Sequence, residues 1–294
     1  MRKTSILNIN QFKHGSGLED FYANTMQGHL ETSHKDIHLP HKHNFYLAML
    51  FTHGTGIHEI DFMAYEVKPG SLFFLNPGQT HHWELSLDIQ GYIFFHTQEF
   101  YDLYYNQSQI NSFPFFYSMH SSPCLYPNAE ETQLLTEMFQ SVLKENLNNE
   151  LLKKHKIMNL VQNVYIESTR LYIKQNPVTS SQAHNSYYSK FLKLEQLVEQ
   201  HFTIEKSPTT YADMLNMSAK HLNRITQAVA GKTASDVITD RVLLEAKKEF
   251  IHQTNSFAEV AYALGYEDYA YFSRLFKKKT GETPSEFLGR YKKG

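Results

Sequence analysis

The sequence predicts a two-domain α+β chain: an N-terminal β-sandwich or small barrel with helices after it, then an all-α C-terminal domain of two helix-turn-helix units joined by a linker helix. Three observations predict it. Short β-rich runs broken by turn residues fill about 37–95, apolar residues recur at spacings of three and four from about residue 130, and the last hundred or so residues match themselves at an offset of 50.

The β-rich runs are Tyr46–Phe51, Ile57–Ile60, Leu72–Leu75 and Tyr92–Phe95, separated by turn-forming stretches such as Thr52-His53-Gly54-Thr55-Gly56 and Asn76-Pro77-Gly78. Short strands at that spacing, punctuated by Gly and Pro, build sandwiches or small barrels. Leu134, Leu135, Met138, Phe139, Val142 and Leu143, followed by Ile157, Leu160, Val161, Val164 and Tyr165, mark two amphipathic helices over about 130–172. Residues 174–187 are polar, aperiodic and interrupted by Pro177, which reads as a linker between domains at 1–173 and 188–294.

Composition agrees with two globular domains, since 41% hydrophobic and 20% charged residues over 294 positions are ordinary globular usage. A lone cysteine, Cys124, forms no internal disulfide, and Met1–Ser5 leads into polar sequence, so a reducing cytoplasm is the expected compartment. No apolar run approaches the roughly 20 residues a membrane span needs. The net charge of −2 hides an asymmetry: 1–186 carries 12 Lys+Arg against 17 Asp+Glu, whereas 187–294 carries 16 against 13. The basic half points to a polyanionic partner, and the placement of its charges decides which.

That placement comes from the repeat. Ser218–Ile225 lies over Asp268–Leu275 and Gly231–Asp236 over Gly281–Glu286, both at an offset of 50, while Ala212–Leu215 lies over Ala261–Leu264 at 49. Each copy reads as a short helix, a tight turn and a second helix opened by an N-cap residue, Ser218 or Asp268, which is helix-turn-helix grammar. The second helices are expected at about 218–230 and 268–280. At 100° per residue, Leu222, Ile225 and Val229 turn inward in one copy and Phe272, Leu275 and Phe276 in the other. The outward face then carries Lys220, Asn223, Arg224 and Gln227, matched by Ala270, Ser273, Arg274 and Lys277. Arg bonds both acceptors of guanine, Asn or Gln pairs with adenine, and small or aromatic residues meet the thymine methyl. Lys277, Lys278 and Lys279 suit phosphates. One polar stripe alone is an ordinary solvated helix face; two in register point to double-stranded DNA. A helix from about Val237 to Ile251 separates the copies as a stiff spacer, and major-groove faces recur about every 34 Å.

Arg241-x-x-x-x-Ala246 and the run Gly265-Tyr266-x-Asp268-x-x-Tyr271-Phe272-x-Arg274-x-Phe276-Lys277-x-x-x-Gly281-x-Thr283-Pro284-x-x-Phe287 resemble the AraC family DNA-binding domain, over about 188–293. The resemblance implies a regulator of transcription that binds promoter DNA and works with RNA polymerase, with base contacts from Lys220, Asn223 and Arg224 in the first helix. From the second it implies Tyr269, Ala270, Tyr271, Ser273 and Arg274.

Eleven of the seventeen histidines lie in residues 1–100, among them His38, His41, His43, His81 and His82. On a strand, His41 and His43 point to the same side, and the turn Asn76–Thr80 can bring His81 from a neighbouring strand. Gly54-x-Gly56, Pro69-Gly70-Ser71 and Pro77-Gly78-x-x-His81 resemble the cupin-like sensory half of AraC-type regulators, which makes the expected N-terminal fold a cupin-like β-barrel. Metal-binding cupins place Glu a few residues after the His-x-His pair; position 47 is Leu here. Neither a metal nor another cofactor is therefore expected, and the histidines read as pocket or core groups. An effector pocket for a small molecule is assigned to His41, His43, Tyr46, Met49, His81, Trp83 and Phe94, the competing reading being a barrel filled by its own side chains. The helices at 130–172 are expected to pair two subunits as a homodimer. Two rival functions stay open: a metal-dependent cupin enzyme with a DNA-binding appendage, and a regulator with no small-molecule effector.

Overall fold

A computed structural model of the chain describes residues 6–12, 18–32, 39–103, 110, 113–117, 122–175, 182–252 and 255–291. Two compact units meet in sequence at Asn176 and Pro177. His38 and the middle of the expected linker, 176–181, lie outside the described residues.

The N-terminal unit holds two five-stranded sheets. One runs β1 (Ile6–Leu7), β3 (His41–His43), β8 (Thr80–Leu85), β5 (Gly56–Ile60), β6 (Met63–Val67); the other runs β10 (Cys124–Leu125), β7 (Leu72–Leu75), β4 (Tyr46–His53), β9 (Gln90–His96), β2 (Phe21–Thr25). Every pairing is antiparallel except β1 with β3. The hairpin between β5 and β6 turns on Asp61 and Phe62, both at positive φ. Asp61 then fastens the turn to β8, its N–H donating to the Thr80 carbonyl at 2.8 Å and its Oδ1 accepting the Thr80 N–H at 3.0 Å. This fixes the strand on which His81 sits.

The central strands of the second sheet are buried on both faces, and alternation sends their side chains into two cores. Leu47, Met49, Phe51, Phe73, Leu75, Ile93 and Phe95 meet Ile60, Val67 and Trp83 of the first sheet. Ala48, Leu50, Leu72 and Phe74 face the other way, against helices α4 (Ala129–Leu147) and α5 (Lys153–Gln175). Each of the larger side chains contributes about 1.5–3 kcal/mol by leaving water, and the set that includes Met49, Phe73 and Trp83 holds the space between the sheets shut around the histidines. The described residues of the unit also form short helices α1 (Met26–Thr32), α2 (Gln98–Asp102) and α3 (Pro114–Tyr117) and a 3-10 turn at Ile9–Gln11.

The two long helices invade both ends of the segment read as linker. α5 continues to Gln175 because its inner face extends to the buried Tyr172, while Lys174 ion-pairs with Glu131 at 2.6 Å. α6 (Gln182–His201) opens before residue 187, with Tyr187, Phe191, Leu194 and Val198 at helical spacing on one core. Polar composition concealed that face.

Among its described residues the C-terminal unit forms helices and their connecting turns: α6, α7 (Pro208–Met214), α8 (Ala219–Ala230), α9 (Ala234–His252), α10 (Phe257–Ala263), α11 (Tyr269–Thr280) and α12 (Pro284–Tyr291). Ser207, Ser218, Ser256 and Asp268 cap the starts of α7, α8, α10 and α11, each side chain accepting a backbone N–H of the first turn. Nineteen residues of α9 span about 28 Å at 1.5 Å per residue. Arg241 on α9 lies over the Phe202 ring at 4.0 Å and donates to Glu199 of α6 and to Glu245, so the spacer helix is pinned to α6.

Candidate nucleic-acid interface and a buried histidine cluster

Helix α8 buries Leu222 and Ile225 and half-buries Val229; α11 buries Phe272 and Phe276 and half-buries Leu275. The inward faces are those the periodicity requires, and the outward faces follow. Lys220, Arg224 and Gln227 are exposed on α8; Ala270, Tyr271, Arg274, Lys277 and Lys278 are exposed on α11, with Tyr269 and Ser273 half-buried beside them. Tyr271 leaves 55% of its surface to solvent.

Asn223 departs from expectation. It is half-buried, and its Oδ1 accepts the backbone N–H of Ala234 at 2.9 Å, satisfying one of the orphan donors at the start of α9. A carboxamide pairs with adenine by using its oxygen and its NH2 together, so adenine recognition by Asn223 requires that cap to break. Lys279 is likewise committed: its ammonium pairs with Asp236 of α9, which removes it from the phosphate-binding set and ties the end of α11 to the start of the spacer helix.

Arg224 is held in place from two sides. Its guanidinium donates to His221 Nδ1 at 2.8 Å and lies 5.7 Å from the centre of the Tyr187 ring on α6. Desolvation, followed by the charges of Arg224 and Lys190, lowers the His221 pKa, in the direction that favours an accepting Nδ1. Among the described residues the side chains of Arg274, Lys277 and Lys278 make no hydrogen bond or ion pair, so these three cations of α11, unlike Lys279, are presented to solvent.

In the N-terminal unit the expected effector residues separate into two layers. His41, His43, His81 and Trp83 come together between the sheets, and Met49 belongs to the same core. Tyr46 and Phe94 lie on the far side of the second sheet: Tyr46 stacks on His96 and meets Phe116 edge-on, and Phe94 packs against Phe139 of α4. One pocket cannot be walled by both sets, because residues 46 and 49 of a single strand point to opposite faces.

The histidines form a chain of contacts. His81 Nε2 is 2.9 Å from His43 Nε2, and its Nδ1 is 2.9 Å from Nε2 of His58 on β5. His41 donates from Nδ1 to the Leu39 carbonyl at 2.9 Å. The cross-strand register places His41 directly opposite His81, and one candidate ligand nitrogen each from His41, His43 and His81 lie within 4.8 Å of one another. Burial drives the His41 pKa down to about 4, opposed by the Leu39 hydrogen bond and reinforced by His82. His58 is pushed well below the ordinary histidine value, chiefly by burial and then by His41 and His82. Sequence reasoning missed His58. In Gly56–Ile60 both Ile57 and Ile60 are apolar, so the pattern does not say which face is inward; the fold exposes Ile57 and buries His58.

Two family models match separate stretches of the chain. A helix-turn-helix domain family matches residues 211–290, and the AraC-like ligand binding domain family matches residues 26–161. The HTH-type transcriptional activator RhaS of Enterobacter sp. (strain 638) is 22% identical over 255 residues, covering 84% of this chain and 86% of that protein. The bifunctional transcriptional activator/DNA repair enzyme AdaA of Bacillus subtilis (strain 168) is 32% identical over 95 residues, covering 32% of this chain and 44% of that protein. Among solved structures, ToxT from Vibrio cholerae is similar at 14% identity with a TM-score of 0.43, covering 92% of this chain and 98% of that one.

Proposed function

The chain belongs to the AraC family of DNA-binding transcription regulators, with a ligand-binding half ahead of a helix-turn-helix half, and we propose that it grips promoter DNA by laying α8 and α11 into successive major-groove faces on one side of the duplex. The observation that carries this reading is the exposure, twice and in register, of a polar, cationic helix face above a buried apolar one. Lys220, Arg224 and Gln227 read from the first helix; Tyr269, Ala270, Tyr271, Ser273 and Arg274 read from the second, with Lys277 and Lys278 on phosphates. Asn223 belongs to the scaffold.

The regulator acts in the cytoplasm as a homodimer through α4 and α5, receives a ligand in the N-terminal half (1–173) and presents RNA polymerase with DNA held by the C-terminal half (188–294). Among the described residues no helix is long and apolar enough to cross a membrane. It works by binding, without a catalytic step; RhaS carries the name of an activator, and activation is the outcome proposed here. Selection of bound fragments from genomic DNA by the full-length protein, followed by titration of the winning site, tests the reading. Recovery of a discrete site whose affinity and sequence preference fall on mutation of Arg224 or Arg274 supports it; sequence-independent binding that neither change affects overturns it. Sedimentation at micromolar concentration tests the dimer, and a monomer with and without DNA would remove that part.

A further inference from the structure

The histidine cluster has the chemistry of a metal site. A carbonyl oxygen can only accept, so the hydrogen bond between His41 Nδ1 and Leu39 fixes the proton on Nδ1 and leaves the lone pair on Nε2. His81 is held from behind through Nδ1, 2.9 Å from His58 Nε2, while its Nε2 faces His43 Nε2; an imidazole contact runs in either direction, and ligation through Nε2 places the proton on Nδ1 with His58 accepting. A ligating imidazole characteristically gives its other N–H to a carbonyl or another acceptor, which sets the tautomer and aims the ring. Both orienting contacts are already in place here.

The scaffold is equally specific. His41 and His43 share one face of β3 and His81 stands opposite on β8, in register with His41. All three are nearly inaccessible, at 3%, 3% and 1% exposure, inside a core of Phe45, Phe73 and Trp83. Zinc-to-imidazole bonds of 2.0–2.1 Å in a tetrahedral shell place neighbouring nitrogens about 3.3 Å apart. The 2.9 Å His43–His81 separation opens to that value with a few tenths of an ångström of movement, and His41 is within 4.8 Å of both. A donor set of three imidazoles, without carboxylate or thiolate, selects borderline divalent ions such as zinc, cobalt or nickel over magnesium and calcium.

We propose that His41, His43 and His81 bind one divalent transition-metal ion through their ring nitrogens, with His58 as the acceptor that orients His81, so that a metal ion is a ligand of the N-terminal half. Leu47 leaves the set neutral, and the remaining coordination positions go to water or to an anionic group of a further ligand. The site lies within the N-terminal unit and does not depend on the DNA-binding reading.

The test uses untagged, chelator-stripped full-length protein titrated with Zn2+ or Co2+ alone. The expected result is one tightly held equivalent per chain, visible-range Co2+ absorption and a rise in melting temperature. His82→Ala, which changes the adjacent residue on the opposite face of β8, retains all three signals. His43→Ala and His81→Ala abolish the absorption, and His58→Ala weakens metal affinity by about 10–100-fold with the absorption band retained. Near-UV circular dichroism establishes folding of each variant, and His43→Asn replaces any that does not fold. Folded wild-type protein that takes up neither ion overturns the proposal, as does uptake that His43→Ala, or His43→Asn in its place, leaves undiminished. The wild-type titration decides even if every variant misfolds.

Discussion

The two helix-turn-helix copies end their first helices on the same backbone device and fill it with different residues. In the first, Met217 N–H reaches back to the Ala212 carbonyl and Asn216 N–H to Asp213; in the second, Tyr266 reaches Ala261 and Gly265 reaches Tyr262. Both are Schellman turns with a left-handed residue after the helix, Asn216 at φ 53° and Gly265 at φ 81°. The difference is external to the turn. A Cβ on Gly265 would lie 2.0 Å from the Thr203 carbonyl and 3.1 Å from Lys206 Nζ, because the loop after α6 is folded onto the second copy. Lys206 also sits over the Tyr266 ring at 5.5 Å. Asn serves where the turn faces outward; only Gly serves where the other copy's leading loop presses on it. Duplicated sequence therefore does not mean duplicated environment, and the same lesson applies to the faces that meet DNA.

The largest expected effect tests that contact. Gly265→Ala combines a strained left-handed alanine with a backbone clash and should cost about 3 kcal/mol or more in denaturant unfolding, whereas Asn216→Gly should change stability by only a few tenths. Equal effects at the two positions would break the contrast. Next come the paired arginines. Arg224→Ala and Arg274→Ala should each lose about 1–3 kcal/mol on the selected site and relax its preference. Tyr187→Ala, which removes the ring beside Arg224, should weaken only the base step read by α8; a loss spread over the whole site would argue against the stacking role.

Asn223 and Ser273 occupy equivalent places and differ in occupation. Asn223→Ala should lower stability by about 1 kcal/mol through the lost cap on Ala234, with base preference intact, while Ser273→Ala should leave stability unchanged and alter preference at one step. An Asn223→Ala protein with an unchanged melting curve and altered base preference would return Asn223 to the recognition face. The smallest effect belongs to the half-exposed pair of Lys279 and Asp236: Asp236→Asn, which keeps an oxygen to accept from Thr233, should cost about 1 kcal/mol or less and release Lys279 toward phosphate, steepening the salt dependence of binding slightly.

Much of this was readable from residues. The offset of 50 located both recognition helices, and their inward faces follow from spacing at 100° per residue, since Leu222, Ile225, Phe272 and Phe276 are all buried. Leu72–Leu75 was delimited as a strand to the residue. Strand parity was also available and separates Tyr46 from Met49 without coordinates. What sequence did not carry was long-range geometry. Asn223 looks like a reader of adenine until α9 brings the Ala234 N–H to its oxygen, and the face that His58 occupies is undecided until the hairpin turn at Asp61 and Phe62 sets the register of β5 against β8. Tyr187 fell inside a segment read as linker because its neighbours are polar.

Hydroxyl-radical footprinting of the full-length protein on its selected site tests the central claim most directly. The account predicts two protected patches on one side of the duplex, separated by about one helical turn of roughly 10 base pairs, with Arg224→Ala thinning one patch and Arg274→Ala the other. A single patch, or two patches that both arginine variants leave intact, would contradict it.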